Sequence, residues 1–328
     1  MTATMHPRIR TEGRTDLSKV IPLDTPIHLF IDPSAACNFR CKFCFNHKIS
    51  HHEIMPMGLF KKVIDDCKGF PHKIKALRLY GFGEPLLNRN LPEMIRYAKE
   101  SGVTDFVEFT TNGWALNEKL SSELVGAGLD AITISLPGMN AQKIVETTGR
   151  AVKLEHYIEI IKYLYSIRGK CRVHVKITNY DLSEQDKRKF CKIFGEIADE
   201  ISIDNIVPIW PEMNTGIKDQ TKNIYNLPIN EVKVCPYIFY HATIHANGDV
   251  STCFTDWAHK NIIGNVNKEN LVDVWNGEKL RKICMEQLCG IKKGICNDCG
   301  QLKYGQADDI GDHKKILERM MGVNNGTN

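Results

Sequence analysis

Short apolar runs alternate with amphipathic helical stretches along the first two-thirds of the chain. Helical periodicity is clearest over 57–68, 153–168 and 183–198, where Ser183 is a candidate N-cap. Strand–helix alternation predicts right-handed βαβ units and a parallel sheet. Because six units are fewer than the eight of a closed barrel, we predict an α/β fold, an open six-stranded (β/α)6 partial barrel. The predicted strands are IHLFID (27–32), KALRLY (75–80), TDFVEFT (104–110), DAITISL (130–136), CRVHVKIT (171–178) and ISIDNIVPI (201–209).

The pattern changes after about residue 212. Two extended runs over 237–254 meet at Asn247-Gly248, a hairpin turn signal. A helical piece over 271–288 and a cysteine-rich stretch follow, which indicates a small second domain. The predicted division is an N-terminal arm (1–25), the barrel (26–212), the cysteine-bearing domain (213–310) and a C-terminal helix and tail (311–328). The arm is basic, and we expect it to be solvated or to cover the barrel mouth with Arg8, Arg10 and Arg14.

Composition is that of an ordinary globular protein. Of 328 residues, 25% are charged and 42% hydrophobic, and the net charge is +4. This balance gives no argument for nucleic acid or an anionic membrane as a partner. No apolar run approaches the roughly 20 residues that cross a bilayer, and the N-terminus lacks the apolar core of a secretory signal. The sequence therefore predicts a cytoplasmic protein.

Twelve cysteines carry most of the chemical information. That share is below the roughly 8–10% of a disulfide scaffold, and a reducing compartment makes metal binding the leading explanation for clustered thiols. Cys67, Cys171 and Cys191 stand alone in helix or strand patterns and are expected in the core. The clustered cysteines are Cys37, Cys41 and Cys44 in one group and Cys235, Cys253, Cys284, Cys289, Cys296 and Cys299 in another.

The first group has the spacing C-x3-C-x2-C and follows the first predicted strand. The carboxyl ends of barrel strands are where active sites of such folds lie. Three thiolates are one short of a closed tetrahedral zinc site but suit a [4Fe–4S] cluster with one open iron. A zinc site with a distant fourth ligand is the alternative.

The loop Cys-Asn-Phe-Arg-Cys-Lys-Phe-Cys, with Phe43 at the aromatic position, resembles the signature loop of the radical S-adenosylmethionine (SAM) superfamily. Gly81-Phe82-Gly83-Glu84-Pro85 resembles the GGEP motif of that family, although Phe82 replaces a glycine found in many members. The resemblance implies a [4Fe–4S] cluster that binds SAM at its open iron. Reductive cleavage of SAM then gives a 5′-deoxyadenosyl radical, which abstracts hydrogen from a C–H bond.

The resemblance also implies where SAM lies. Gly81, Gly83, Glu84 and Pro85 correspond to the segment that binds its amino group. Physically, a glycine permits close backbone approach and a carboxylate can accept from an ammonium. Polar residues at later strand ends are expected to reach the ribose and carboxylate, although each alone is more often a turn residue. The full set of predicted cofactor contacts is Phe43, Gly81, Gly83, Glu84, Pro85, Asn112, Ser135 and Asn179.

The second cysteine group resembles the SPASM domain, a C-terminal extension that carries auxiliary iron–sulfur clusters. The closing spacing departs from the full two-cluster pattern and fits better a shortened version with one auxiliary [4Fe–4S] cluster. The expected ligands are then Cys235, Cys253, Cys296 and Cys299. Cys284 and Cys289 stay open: either could replace a ligand, be a buried thiol, or act as a hydrogen-atom donor.

Together these features predict a radical SAM oxidoreductase or epimerase that acts on a sugar- or aminocyclitol-like small molecule, with flavodoxin or ferredoxin as electron donor. Trp210, Tyr237 and Tyr240 are candidates for lining its pocket. Maturation of a ribosomally made peptide is an alternative, disfavoured by the short segment before the barrel. Molybdopterin-precursor synthesis is disfavoured because the chain ends Gly326-Thr327-Asn328 rather than Gly-Gly. A non-catalytic zinc or iron–sulfur binding module is the alternative of another class.

Overall fold

The computed structural model describes residues 3–5, 14–49, 52–210, 221–230, 232–305 and 307–322. In this part of the chain the strands form one sheet in the order β1-β7-β6-β5-β4-β3-β2-β8-β9-β10. The strands are β1 (Thr4–Met5), β2 (His28–Ile31), β3 (Ala76–Arg78), β4 (Val107–Thr111), β5 (Ala131–Leu136), β6 (Arg172–Thr178), β7 (Glu200–Asp204), β8 (His241–Ile244), β9 (Asp249–Ser251) and β10 (Ile262–Asn265).

Strands β2 to β7 are the six predicted strands, and each pairs in parallel with the next one along the chain. This confirms the α/β fold with a mostly parallel sheet. The last predicted strand, 201–209, is too long, because β7 ends at Asp204. Beyond it the backbone N–H of Asn205 donates to Ile224 O at 2.8 Å and its side chain to Asn223 O at 2.8 Å. The chain therefore leaves the sheet to pair with a later loop.

Helices connect the strands. As predicted, one begins after Ser183, whose side chain accepts from Asp186 N. The predicted helical piece 271–288 is instead two helices, because Gly277 is extended and starts a second one. The helices are α1 (Leu17–Val20), α2 (Met57–Asp66), α3 (Leu91–Ser101), α4 (Glu118–Gly126), α5 (Ala141–Thr148), α6 (Leu154–Ile167), α7 (Glu184–Phe194), α8 (Leu271–Trp275), α9 (Glu278–Leu288), α10 (Gln301–Tyr304) and α11 (His313–Met321).

Both ends of the sheet differ from the sequence prediction. The N-terminal segment contributes β1, which pairs in parallel with β7, so it is not wholly an irregular arm. Arg8 and Arg10 lie outside the described residues. At the other edge β8 pairs in parallel with β2 in the register His28↔His241. The cysteine-rich part of the chain therefore extends the barrel sheet, and β9 and β10 continue it as antiparallel strands.

Strand periodicity sorts the side chains into two faces. Apolar residues such as Leu29, Leu77, Phe109 and Ile132 are fully buried in the main hydrophobic core. Many of the alternate positions are polar, including Arg78, Glu108 and Thr133, and these side chains line the barrel interior together with Phe30 and Ala131. Among the described residues, no helix is long and apolar enough to span a membrane.

Candidate active site

The loop after β2 holds the first cysteine group. Cys37, Cys41 and Cys44 are half-buried thiols on one loop. The loop is anchored to the end of α5, because Arg40 N donates to Thr148 O at 3.0 Å and Lys42 N donates to Thr147 O at 3.1 Å. Burial raises the pKa of each of the three thiols, to about 11 for Cys37. A strongly positive partner such as iron would be needed to hold them as thiolates.

The glycine-rich segment after β3 packs directly on the backbone just before these cysteines. A Cβ on Gly83 would lie 1.8 Å from Ser34 O, and a Cβ on Gly81 would lie 2.6 Å from the Asp32 carboxyl carbon. Asn46 joins the two segments from the other side, donating to Ala35 O and to Phe82 O at 2.9 Å each. Both positions thus require glycine, because a side chain there would collide with neighbouring protein atoms. The sequence analysis had instead explained these glycines by the close approach of a ligand.

Glu84 is 2% exposed and accepts three hydrogen bonds from the protein. Leu86 N donates to Oε1 at 3.0 Å, Thr111 Oγ1 to Oε1 at 2.6 Å and Asn112 N to Oε2 at 2.7 Å. Burial raises the pKa of this carboxyl to about 7. The structure therefore gives Glu84 a positioning role between two strand ends, and the predicted contact with the SAM ammonium stays a prediction.

The other predicted cofactor contacts lie at the same carboxyl edge of the sheet. Asn112 donates from Nδ2 to Asn38 Oδ1 at 2.7 Å, and so reaches the cysteine loop. Asn179 uses both ends of its amide within the protein, donating to Asn205 Oδ1 at 2.7 Å and accepting from Ile206 N at 3.0 Å. Asn179 therefore connects β6 to the segment after β7, and its predicted contact with SAM stays a prediction. Pro85 begins a short 3-10 helix, Ser135 lies half-buried beside Lys176, and the Phe43 ring lies 5.6 Å from the Tyr180 ring.

Four cysteines of the second group converge. Burial is the largest cause that raises the pKa of Cys235, Cys253 and Cys296, and neighbouring thiols of the same set raise each further. N–H groups point at their sulfurs: Thr255 N to Cys253 at 3.4 Å, Gln301 N to Cys299 at 3.4 Å and Asn261 Nδ2 to Cys296 at 3.3 Å. Thiolate ligands with N–H donors are the usual surroundings of an iron–sulfur cluster, so this set fits the group. Across the described residues, no three His, Cys, Asp or Glu side chains are placed to hold a single metal ion.

Cys289 lies apart from that set, whereas Cys284 is near Cys235, which raises the pKa of the Cys284 thiol further after burial. Cys284 is buried on α9, with Sγ 3.7 Å from Ile238 O, and lines a surface cavity beside Trp275 and Met320. Cys289 is exposed at the end of the same helix. Cys67 and Cys171 are buried and Cys191 is partly buried, which places the isolated thiols in or against the core.

A cavity of about 560 Å³ occupies the barrel interior and was not located by the sequence. Cross-strand ion pairs line it, with 2.8 Å between Arg78 and Glu108 and 3.7 Å between Arg172 and Glu200. Arg14 belongs to the predicted N-terminal arm and also lines the cavity, where its guanidinium lies 2.6 Å from the Asp308 carboxylate. The remaining polar lining includes Thr133, His28, His174, His241, Tyr237 and Tyr240.

The predicted pocket aromatics are divided by the structure. Tyr237 and Tyr240 line the cavity. Trp210 instead packs against Phe45, with ring centroids 4.8 Å apart, and donates from Nε1 to Thr255 O at 3.1 Å. The alternation of residues within each strand could have identified the charged residues that face inward. The position of His241 could not be found in this way, because it depends on the pairing of β8 with β2, which is a non-local contact.

Comparison with known proteins agrees with this geometry. Residues 31–189 match the family model of the radical SAM superfamily, and residues 235–300 match the SPASM iron–sulfur cluster-binding domain. The chain therefore belongs to the radical SAM superfamily and carries a SPASM domain. These domains imply a [4Fe–4S] cluster, SAM and auxiliary iron–sulfur cluster content.

Solved structures share the fold at low sequence identity. BtrN in complex with AdoMet and 2-DOIA has a TM-score of 0.54 at 17% identity, covering 83% of this chain and 92% of that one. SuiB of Streptococcus suis bound to precursor peptide SuiA has a TM-score of 0.63 at 19% identity, covering 88% and 72%. Native anSMEcpe with bound AdoMet has a TM-score of 0.61 at 15% identity, covering 91% and 99%. At these identities the likeness shows the fold.

Curated relatives are more similar in sequence but over a shorter stretch. The probable GTP 3′,8-cyclase of Metallosphaera sedula is 31% identical over 178 residues, which are 52% of this chain and 51% of the relative. The GTP 3′,8-cyclase of Aquifex aeolicus is 33% identical over 165 residues, which are 48% of this chain and 51% of the relative. The chain thus spans about half the length of these relatives.

Proposed function

We propose that this radical SAM enzyme oxidises a secondary alcohol of a small hydroxylated molecule, such as a sugar or aminocyclitol, to a ketone. The observation that carries the proposal is the polar cavity of about 560 Å³ inside the barrel. Its size is in the range of small-molecule sites. Its wall is shared between the barrel strands and residues adjacent in sequence to the auxiliary cysteines, such as Phe254 next to Cys253.

The charges of the cavity favour a substrate of low net charge. Arg78, Arg172 and Arg14 each have a carboxylate partner, in Glu108, Glu200 and Asp308. Paired charges of this kind offer both donors and acceptors to hydroxyl and amino groups. They leave little unbalanced positive charge for a polyanion, since each arginine already faces a carboxylate and the remaining lining cation, Lys75, donates to Thr15 Oγ1 at 2.9 Å.

The positions of the remaining thiols favour oxidation over epimerisation. An epimerase needs a hydrogen-atom donor at the substrate, and the candidates for that role were Cys284 and Cys289. Cys284 lines a different cavity, beside Trp275 and Met320, and Cys289 is exposed at the end of α9. Oxidation instead requires an electron acceptor. A cluster held by the four converging cysteines, which lie beside the cavity wall, would be that acceptor.

The cofactors belong to two sets of residues. We assign Cys37, Cys41 and Cys44 to the SAM-binding cluster and Cys235, Cys253, Cys296 and Cys299 to one auxiliary cluster. When bound, SAM and its cluster supply the radical that takes hydrogen from the substrate, and the auxiliary cluster takes up an electron. The chain's own residues enclose the substrate, exclude water and hold the loops in register. An external flavodoxin or ferredoxin is the expected source of the reducing electron.

A second candidate is chemistry on a purine nucleotide, favoured by the relatives named GTP 3′,8-cyclase. A triphosphate would have to displace the carboxylate partners of the three cavity arginines. Peptide modification is a third candidate, favoured by the fold likeness to peptide-bound SuiB. Both are retained as outcomes of the experiment.

The experiment is anaerobic reconstitution with iron, sulfide, SAM and a reductant, followed by incubation with aminocyclitols, hexosamines, GTP and short peptides. We expect 5′-deoxyadenosine to form together with a product two mass units lighter than a hydroxylated substrate. A product of unchanged mass that carries solvent deuterium would indicate epimerisation and contradict the proposal. Turnover of GTP in preference to every polyol would replace it with the second candidate.

A further inference from the structure

Two polar side chains, those of Thr255 and Asn261, lie against sulfurs of the auxiliary cysteine set. Thr255 Oγ1 is 3.0 Å from Cys253 Sγ, and Asn261 donates from Nδ2 to Cys296 Sγ at 3.3 Å. The cysteine spacing indicated neither residue. Their placement is a second feature of this site, in addition to the four thiols.

The Thr255 hydroxyl is the donor to Cys253 whenever that sulfur is a thiolate. A thiol can give its own hydrogen to the hydroxyl, but a sulfur that binds iron has none to give. The same hydroxyl also hydrogen-bonds the Cys299 thiol. Burial raises the pKa of Cys299, and the bonds from Gln301 N and from the Thr255 hydroxyl oppose that shift. One hydroxyl group thus contacts two of the four sulfurs.

Thr255 is held in place by contacts that do not involve the sulfurs. Its carbonyl oxygen accepts from Trp210 Nε1 at 3.1 Å and from Trp257 N at 2.9 Å. The next N–H group, that of Asp256, donates to Cys253 O at 3.1 Å. These bonds close a short turn directly after Cys253. Because Thr255 is 2% exposed, its hydroxyl is carried on a fixed backbone from which water is excluded.

Asn261 is held beside its sulfur by a buried carboxylate. Its backbone N–H donates to Asp256 Oδ2 at 2.8 Å, and that of Lys260 donates to Oδ1 at 2.9 Å. Gly294 packs against the amide oxygen, where a Cβ would lie 2.2 Å from Asn261 Oδ1. The backbone and the amide oxygen are thus both fixed, and Nδ2 is left directed at Cys296.

Donors at a sulfur ligand stabilise negative charge on that sulfur. Reduction of an iron–sulfur cluster by one electron adds negative charge, and hydrogen bonds to the sulfurs are among the factors that set its potential. Such bonds count for more in a dry surrounding than in water. The pKa of the Cys296 thiol shows the opposing effects: burial and Cys299 raise it, the Asn261 hydrogen bond lowers it, and the Asp256 carboxylate raises it.

We propose that Thr255 and Asn261 raise the reduction potential of the auxiliary cluster and thereby make this site an electron acceptor. The inference rests on the auxiliary ligands assigned under the proposed function and deepens the accepting role given to them there. It does not depend on which substrate is oxidised. The site gains one electron, and the hydroxyl and amide hydrogens stay on their own oxygen and nitrogen.

The test is Thr255→Val, with Thr252→Val as a matched control. Valine keeps the shape of threonine but has no hydroxyl. Thr252 is also fully buried and directly precedes Cys253, but its Oγ1 has no hydrogen-bond partner among the described residues. Thr255→Ser is the conservative variant, because serine retains the hydroxyl. Each full-length protein is reconstituted anaerobically, and preparations are matched in iron content.

The measurement is a redox titration with dithionite, followed by electron paramagnetic resonance. The signal that added SAM alters is assigned to the first cluster, and the signal that SAM leaves unchanged is assigned to the auxiliary cluster. In Thr255→Val we expect the ratio of reduced to oxidised auxiliary cluster at a fixed potential to fall roughly tenfold, which is 59 mV for one electron. Asn261→Leu should lower the ratio as well, whereas Thr252→Val and Thr255→Ser should keep the wild-type ratio.

The outcomes separate this inference from the proposed function. Equal ratios in the wild type and Thr255→Val, or an equal fall in Thr252→Val, overturn the role of the hydroxyl. An auxiliary cluster that dithionite does not reduce in the wild type also overturns the inference. If Thr255→Val fails to hold iron, Asn261→Leu decides, and an unchanged ratio there counts against the donors. Failure of every alcohol in the panel contradicts the proposed function but does not alter the measured potential.

Iron content tests the assignment beneath both proposals. A wild type that binds only about four irons lacks the auxiliary cluster, and the inference then fails together with the electron acceptor of the proposed function. A wild type with about eight irons and the expected loss in Thr255→Val supports the donors whatever the substrate is.

Discussion

Thr111 donates its hydroxyl hydrogen to Glu84 Oε1 at 2.6 Å, and this contact joins the loop after β3 to the end of β4. Glu84 Oε2 accepts from Asn112 N, and the Asn112 side chain continues to Asn38 in the cysteine loop. One buried carboxylate thus connects three segments at the carboxyl edge of the barrel. The shape of the candidate SAM site depends on that connection.

Thr111→Val tests the connection. Valine has nearly the same shape but leaves Glu84 without one donor and Gly113 N without its acceptor. We expect unfolding free energy to fall by about 1–3 kcal/mol, because buried polar groups lose their partners. Anaerobic thermal denaturation measures this, with Thr178→Val at the end of β6 as control. Equal melting temperatures for the wild type and Thr111→Val would show that the contact contributes nothing.

Gly83→Ala tests the close packing beneath the cysteine loop. The new Cβ would lie 1.8 Å from Ser34 O and 2.6 Å from Ala36 O, so the backbone that leads into Cys37 must move. We expect the variant to bind about half of the wild-type iron, because the first cluster site is distorted while the second is not. Gly58→Ala in α2 is the control, since its Cβ meets no atom within 4 Å. Full iron content in Gly83→Ala would contradict the predicted displacement.

The sequence predicted the parts of this fold that depend on local pattern. These parts are the six strands, the Ser183 N-cap and the cysteine spacings. Each of them is defined by residues that are close together in the sequence. Parts that depend on distant pairing were missed. The two residues of β1 have no periodicity of their own and become a strand only beside β7. Likewise, a turn at Asn247-Gly248 predicts a hairpin but not that β8 pairs in parallel with β2.

The candidate site shows the same division. Cys37, Cys41 and Cys44 were recognisable because a single loop carries them. The roles of Glu84 and Asn179 were harder, because their hydrogen-bond partners lie 27 and 26 residues away. The sequence indicated His241 as a hairpin residue and did not single out His28. Only the pairing of β2 with β8 makes these two distant residues neighbours.

Asp32 predicts a dependence of stability on pH. Burial raises the pKa of this carboxyl to about 7, while backbone N–H groups of Ser34 and Phe82 oppose the shift. Since the folded pKa exceeds the unfolded one, the folded state holds a proton that the unfolded state has lost. The stabilisation is complete below about pH 4 and is lost as pH rises to about 7.

Asp32→Asn removes this titration and keeps an oxygen acceptor. We expect the stability of the wild type relative to Asp32→Asn to fall by about 2 kcal/mol between pH 5.5 and pH 8. Anaerobic chemical denaturation at the two pH values measures it, and groups shared by both proteins cancel in the comparison. A difference that stays constant, or that grows in favour of the wild type at pH 8, would mean that Asp32 is ionised in the folded protein.

Iron content distinguishes the auxiliary ligands from the other thiols of the C-terminal part. The wild type should bind about eight irons, as two four-iron clusters. Cys253→Ser and Cys299→Ser each remove a thiol from the converging set, so they should bring the count to about four while SAM cleavage without substrate persists. Cys284→Ser is the matched control, because this thiol is also buried and near Cys235 but contacts Ile238 O. The opposite result would be about four irons in Cys284→Ser and about eight in Cys253→Ser. It would place Cys284 among the cluster ligands and show that Cys253 is a buried thiol without a ligand role.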